Sequence, residues 1–335
     1  MFALNSIERH KYTLFFINKW KYNLYLHIIY TTMAYSFEKE KKKVGITSQD
    51  MFCFQFSKAE YISTELYKTH NSNKDDNIKS YVLRYIKNTL NVCESINCIY
   101  QNTNDFISAS TLLRSVIDRI AILFHIYTND DMETTLLKHY LYLLDGVLYQ
   151  GRTRIDLDKI VNSTLDDKEF DEFKKNYEIE NAILEVQRKN IFKKINQLNI
   201  IKAGNVNKDI INKGNWKFKN IKNCSSFSWG ELYSELGIHE TFSKTASFIS
   251  GHVHGLSISN IDNIDFSKHF ITLFAIASSV LTKLNEFITL FYNEDIQKNN
   301  IDFCNSDISK VYANLTSNEY IKKINNKYRR NKIIF

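Results

Sequence analysis

Two sets of polar residues have spacings that would place the members of each set on one face of a helix. At about 100° per residue, Arg114, Asp118 and His125 fall within about 40° of one another. Ser250 and His254 are four residues apart, so a helix would let the hydroxyl bond the imidazole. A guanidinium stabilises developing negative charge, and an imidazole transfers a proton. These five residues therefore form a candidate catalytic site for metal-independent acid–base chemistry.

A structural interpretation of the same residues stands beside the catalytic one. An Arg114–Asp118 pair on an exposed helix face contributes only about 0.3–0.5 kcal/mol to stability. His254 would lie in the last helical turn before Gly255, where the helix dipole stabilises an imidazolium. The catalytic interpretation requires two helices that are distant in the chain to meet, so it depends on the fold.

Long stretches of the chain lack any residue that breaks a helix. The 335 residues include no Pro, and no Gly lies between Gly45 and Gly146 or after Gly255. Apolar residues recur there at three- and four-residue steps, which indicates helices. We predict an all-α multi-helix bundle, with a helical N-terminal extension over 1–46 and a single domain over 47–335. The predicted helices span 47–70, 76–102, 105–128, 131–149, 166–200, 228–236, 239–254, 266–297 and 306–327.

The helix predicted over 105–128 separates an apolar arc from the polar stripe. The arc is expected to face the core and contains Phe106, Ala109, Leu112, Leu113, Val116, Ile117, Ile120, Leu123, Phe124 and Tyr127. Arg114, Asp118 and His125 lie outside this arc, with the small residue Ala121 among them. Such a stripe suits the close approach of another helix or of a ligand.

Basic residues are concentrated between Arg188 and Lys222. This segment has ten Lys or Arg and one acid, whereas the whole chain has a net charge of +7. Aromatic residues are interleaved with them, and such a pattern can bind a phosphate backbone while bases stack. We predict a basic loop at about 201–226 that binds RNA or another nucleic acid through Lys213, Trp216, Lys217 and Lys219. The alternative is a solvated loop that pairs in part with acidic residues at 166–180.

Several classes of protein are disfavoured by missing motifs. The five Cys form no C-x2-C pair, and no H-E-x-x-H, P-loop, G-x-G-x-x-G or G-x-S-x-G motif occurs. We therefore expect no metal site, no cofactor and reduced thiols. The apolar stretch at 12–30 is interrupted by Lys19 and Lys21, and the one at 269–292 by Lys283 and Glu286. The expectation is a cytoplasmic protein without a membrane partner.

Two segments together resemble a known family. The run ASTLLRSVIDRIAILFHI (109–126), followed by FISGHVHG (248–255), resembles an uncharacterised family of prokaryotic helical proteins with LLR-x3-acid and S-x3-H-G motifs. The resemblance implies an all-α fold and a role in prokaryotic defence or mobile-element systems. It also implies that Arg114, Asp118, Ser250 and His254 are the family's polar positions, with Tyr233 as a weaker one.

A second resemblance is to the HEPN superfamily of helical ribonucleases, whose signature places a His shortly after an Arg. Arg119 and His125 have that spacing. The resemblance implies a metal-independent ribonuclease or toxin, although these two residues lie about 120° apart on an ideal helix. Three functions stay open: a defence protein with an Arg/Asp/Ser/His site between helices, a HEPN-like ribonuclease, and a non-catalytic scaffold. The scaffold would bind nucleic acid or a protein partner, including a second copy of the chain.

Overall fold

Helices account for almost all of the regular structure in the part of the chain that the structure describes. The structure is a computed structural model, and it describes residues 47–72, 77–153, 167–236 and 266–306. These residues contain ten α-helices and no strand, which confirms the all-α prediction. The helices are α1 (Ser48–Tyr67), α2 (Ile78–Asn102), α3 (Phe106–Tyr127), α4 (Met132–Arg152), α5 (Asp167–Gln197), α6 (Asn199–Lys202), α7 (Lys208–Asn212), α8 (Trp229–Glu235), α9 (Phe266–Phe291) and α10 (Asn293–Lys298).

Short polar side chains determine where the helices begin. Asp105 accepts hydrogen bonds from the backbone N–H groups of Ile107 and Ser108 at the start of α3. Asp131 does the same for Glu133 and Thr134 at the start of α4. Such caps satisfy backbone donors that have no partner inside the helix, and each contributes about 1 kcal/mol.

Two predicted helices are longer than the helices that form. The helix expected over 166–200 ends at Gln197, because Leu198 has an extended backbone and α6 begins after it. The helix expected over 266–297 is divided at Tyr292 into α9 and α10. The segment predicted as a loop, 201–226, contains α7 and a single bridge between Phe218 and Ser226. The predicted extension 1–46 and the helices predicted at 239–254 and 306–327 lie outside the described residues.

The chain divides into two units, one of which is Gln55–Ile301. The other consists of Met1–Phe54 and Asp302–Phe335. In its described part, the rings of Phe54 and Phe303 make an edge-to-face contact at 5.6 Å. The boundary of a single domain at 47–335 stays a prediction.

Helix α3 is the centre of the Gln55–Ile301 unit. It packs against α2, α4, α8 and α9, and it is buried on nearly every side from Ile120 to Tyr127. Phe106 and Phe124 contact the rings of Phe270 and Phe287 in α9, with centroids 5.6 and 5.5 Å apart. Helix α4 packs in turn against α5. Side chains on α3 can therefore meet residues from distant parts of the chain.

Helix α9 is apolar enough to raise the question of a membrane. Among the described residues, His269–Phe291 is the one segment long and apolar enough to cross a bilayer, with a mean hydropathy of 1.4 in its most apolar 18 residues. In the most apolar 18 residues of this helix, 56% of the residues are buried inside the protein. Lys283 and Glu286 form an ion pair at 2.7 Å on its surface.

Candidate functional site

Helix α8 lies over the polar stripe of α3. Its first turn is fixed by a capping box, in which Ser228 accepts from the N–H of Glu231 and the Glu231 carboxylate accepts from the N–H of Ser228. This reciprocal pairing begins the helix at Trp229 and brings Tyr233 and Glu235 to the stripe. The stripe was expected to suit the close approach of another helix or of a ligand. In the structure, α8 packs against α3 here.

Arg114, Asp118 and Tyr233 form a hydrogen-bonded group that joins α3 to α8. The Arg114 Nε lies 3.2 Å from Asp118 Oδ1, and the Tyr233 hydroxyl donates to the same oxygen at 2.5 Å. Arg114 also donates to the Tyr233 hydroxyl, and its guanidinium lies 5.0 Å from the centre of the tyrosine ring. Burial and the neighbouring Asp118 carboxylate raise the pKa of Tyr233 well above its usual value, so the phenol stays neutral.

His125 and Glu235 form a second contact between α3 and α8. The His125 Nδ1 lies 2.9 Å from Glu235 Oε2, and the imidazole side chain is only 2% exposed. The other ring nitrogen, Nε2, is buried and has no hydrogen-bond partner in the described part of the chain. A carboxylate on one nitrogen fixes the orientation of the ring and favours a proton on that nitrogen. The imidazole is closed to solvent.

A buried lysine contacts the backbone of His125. Lys138 on α4 is 7% exposed, and its Nζ donates to the backbone carbonyl of His125 at 3.0 Å and to Asn129 Oδ1 at 3.1 Å. Burial lowers the pKa of Lys138 to about 8, although the negative charge of Glu235 acts in the opposite direction. Neither Lys138 nor Glu235 is predicted from the sequence, because nothing in the spacing of these two residues marks them.

The predicted polar stripe differs from a solvated helix face. Ala121 and His125 lie outside the predicted apolar arc, yet both are buried. Arg114 and Asp118 are partly exposed, with 21% and 29% of their side-chain surfaces accessible. Arg114 and Asp118, on one side of Ala121, pair with Tyr233, and His125, on the other side, pairs with Glu235. The stripe is thus a packing surface for α8.

The other predicted site residues either lie outside the described residues or do not come together. Ser250 and His254 lie outside the described residues, so their meeting with Arg114 and Asp118 stays a prediction. Arg119 lies with its guanidinium 5.6 Å from the ring of Tyr85 on α2, whereas His125 contacts Glu235 on α8. The two residues of the HEPN-like spacing therefore have different surroundings.

The basic segment is a folded surface anchored by buried aromatic residues. Trp216 is 5% exposed and donates from its indole Nε1 to Asp145 Oδ2 at 3.2 Å. Phe218 is also buried, at 4% exposed. The prediction that Trp216 offers a stacking face to bases finds no support in this geometry, because its ring is part of the protein interior. Lys217 extends over the rings of Trp216 and Trp229, with Nζ 5.7 and 5.0 Å from their centres.

Gly214 allows the basic segment to contact α4 directly. Its φ of +62° is one that other residues rarely adopt, and a Cβ there would lie 2.8 Å from the backbone nitrogen of Asp145. A cavity of about 400 Å³ opens beside this contact. It is lined by Asp145, Arg152, Lys213, Gly214, Asn215, Trp216, Lys217, Cys224 and Ser226.

The predicted lysines have distinct partners at the surface. Lys213 pairs with Asp209 at 3.4 Å, and Lys219 pairs with Glu231 of the capping box. The described residues contain no group of three or more His, Cys, Asp or Glu that could hold a metal ion. Comparisons with models of protein families, with curated proteins and with solved structures each found no match to this chain. Both family resemblances therefore stay predictions.

Proposed function

We propose that this protein is a non-catalytic helical scaffold that binds nucleic acid through the basic segment 188–222. One observation carries the proposal: the segment has ten basic residues and one acid, and eight of the ten are exposed on a folded surface. A fixed array of cations attracts a polyanion and releases its counterions, which drives nucleic-acid binding. The hydrogen bonds that join Arg114 and Asp118 to Tyr233 hold α8 on α3, and this structural role supports the scaffold.

Local acids neutralise only part of the basic charge. Arg188 and Lys189 share Glu185, and two further lysines have the partners given above. The described residues supply no acidic group within ion-pair distance of the exposed Lys193, Lys202, Lys208 and Lys222. These four cations are therefore available to phosphates without first breaking an ion pair.

The buried position of Trp216 determines the kind of binding that the proposal expects. With its ring in the interior, the contacts come chiefly from lysine side chains to phosphate oxygens. Such contacts carry no direct information about base sequence. We therefore infer binding that depends little on sequence and that weakens steeply as salt rises.

The test is a titration of labelled single-stranded RNA, followed by fluorescence anisotropy at several salt concentrations. The variant carries Lys202→Gln, Lys208→Gln and Lys222→Gln, while the matched control carries Lys87→Gln, Lys175→Gln and Lys298→Gln. Each phosphate contact contributes about 0.7 to the slope of log affinity against log salt. Loss of three contacts should lower the magnitude of that slope by about 2, and the control, which has the same net charge, should keep the wild-type slope.

Equal slopes and affinities in the two triple variants would refute the proposed interface. A parallel titration with a duplex of the same length tests the backbone-directed mode, since we expect affinities of the same order. A large preference for single strands would show that exposed aromatic residues contribute and would count against this mode.

His125 supports a second candidate function, a metal-independent ribonuclease or toxin. Its Nδ1 is held by Glu235 and its Nε2 has no partner among the residues described, an arrangement that can accept a proton once exposed. The role in defence or mobile-element systems belongs to this candidate as well. Expression in a bacterial host should then be toxic for the wild type and harmless for His125→Ala or His254→Ala. Equal growth of all three strains would rule out this candidate.

A further inference from the structure

Most of helix α5 lies at the surface of the protein. None of the residues from Lys168 to Asn190 is buried, although the helix continues for 31 residues in total. Within this exposed part, Ile179, Ile183 and Val186 are 49%, 50% and 58% accessible. Isolated helices are marginal in water without tertiary packing. A helix that extends three β-branched apolar residues into solvent indicates a partner.

The exposed apolar residues belong to a longer heptad pattern. Successive members are separated by four and three residues in strict alternation, and each is exposed. This spacing places all of them along one seam of a helix, as in a coiled coil. The seam consists of Glu172, Asn176, Ile179, Ile183, Val186, Asn190 and Lys193.

The residue types of the seam are arranged nearly symmetrically about Ile183, but the charges at its two ends are opposite. Asn176 and Asn190 lie seven residues on either side of it, and Glu172 and Lys193 lie eleven and ten residues away. At about 1.5 Å per residue, the two charged ends are about 15 Å from Ile183 in opposite directions. A second α5 that runs antiparallel would place Asn beside Asn and Glu beside Lys.

The rest of the helix has the same charge asymmetry. Residues 167–182 contain six acids and three lysines, whereas residues 183–197 contain one acid and four basic residues. A parallel pair would place acidic half beside acidic half, whereas an antiparallel pair places each acidic half beside a basic half. Charged and polar positions in coiled coils set orientation and register in this way.

We propose that α5 pairs antiparallel with α5 of a second copy of the chain, with the two-fold axis beside Ile183. Such an interface is isologous, since the same surface serves both subunits. Glu172 of each copy then lies near Lys193 of the other, and the apolar residues fill the centre. Only three apolar residues per helix contribute, so the dimer is weak, with a dissociation constant on the order of micromolar. The inference goes beyond the proposed nucleic-acid binding and depends on a different set of residues, Lys193 excepted.

The first test measures mass by sedimentation velocity of the full chain up to about 100 µM, a concentration at which a micromolar dimer is largely formed. We expect a dimer for the wild type and a monomer for Ile183→Glu. The matched control is Asn181→Glu, which adds the same charge at an exposed position outside the seam and should stay dimeric. A wild-type monomer throughout, as when another part of the chain covers the seam, would overturn the proposal, and so would a dimeric Ile183→Glu.

The second test exchanges the charges at the two ends of the seam, so it does not depend on any change to the apolar residues at its centre. Glu172→Lys alone and Lys193→Glu alone should each weaken the dimer at least tenfold, whereas the double swap should restore it, because each exchanged charge again faces its opposite. Failure of the double swap to restore dimerisation refutes the antiparallel register.

Orientation is tested directly by mixing two cysteine variants under mild oxidation. Glu172→Cys and Lys193→Cys should form a mixed disulfide in preference to either symmetric one, and wild-type protein measures the background from its own cysteines. Preferential coupling of Glu172→Cys to itself would indicate a parallel pair and overturn the proposal.

Discussion

The Tyr233 hydroxyl provides the sharpest test of how α8 is held on α3. The substitution Tyr233→Phe keeps the ring, which is 3% exposed, and removes only the oxygen. That oxygen donates to Asp118 and accepts from Arg114, so the substitution removes two hydrogen bonds to charged groups. The Arg114–Asp118 ion pair itself remains.

The structure sets the size of the expected effect. A hydrogen bond to a charged group contributes about 1.5–3 kcal/mol when it is buried. Arg114 and Asp118 are each more than a fifth exposed, so water can replace part of what the hydroxyl supplied. We expect a loss of about 2 kcal/mol in the free energy of unfolding, which is less than two fully buried bonds and more than an exposed ion pair.

Urea denaturation followed by circular dichroism measures this loss. Tyr149→Phe is the matched control, because Tyr149 is 61% exposed and its hydroxyl should contribute close to nothing. A second comparison, Asp118→Asn alone and combined with Tyr233→Phe, should show losses that do not add, since the two residues share one bond. A loss below about 0.5 kcal/mol for Tyr233→Phe would refute the view that this hydroxyl holds α8 in place.

Two further predictions concern α4 and the segments packed against it. Gly214→Ala should destabilise the protein by about 1–3 kcal/mol in urea denaturation, because it combines a positive φ with a Cβ against the backbone of Asp145. The control is Gly204→Ala, which has a similar φ without the contact and should lower the free energy of unfolding by less. Lys138 is neutral in the folded state above about pH 8 and protonated in the unfolded state up to about pH 10. Unfolding therefore takes up a proton in this window, so wild-type stability should rise with pH by about 1.4 kcal/mol per unit relative to Lys138→Met. Parallel stability curves for Lys138→Met and the wild type between pH 8 and 10 would contradict this assignment.

The local pattern of the sequence was enough to predict the helices but not all of their ends. Apolar spacing and the lack of Pro predicted α2, α3 and α4 to within a few residues at either end. The breaks at Leu198 and Tyr292 were missed, because neither residue is a helix breaker by type. In both places the spacing of apolar residues gives no sign of the break.

The basic segment shows a different limit of sequence reasoning. Lysines interleaved with aromatic residues are typical both of a nucleic-acid surface and of an ordinary fold whose aromatics face inward. Trp216 faces inward, because Asp145, 71 residues earlier in the chain, accepts a hydrogen bond from its indole N–H. Burial of an indole depends on such a partner, and no local pattern reveals it.

The amino-acid sequence by itself determined the helical class and the stripe of Arg114, Asp118 and His125, because each depends only on residue type and on the fixed geometry of a helix. Only the tertiary structure decided what those faces meet. It set Tyr233 and Glu235 against the stripe and left the seam of α5 in solvent. The physical reason is that pairing between distant segments depends on the path of the chain as a whole, whereas helical spacing is set within a few turns.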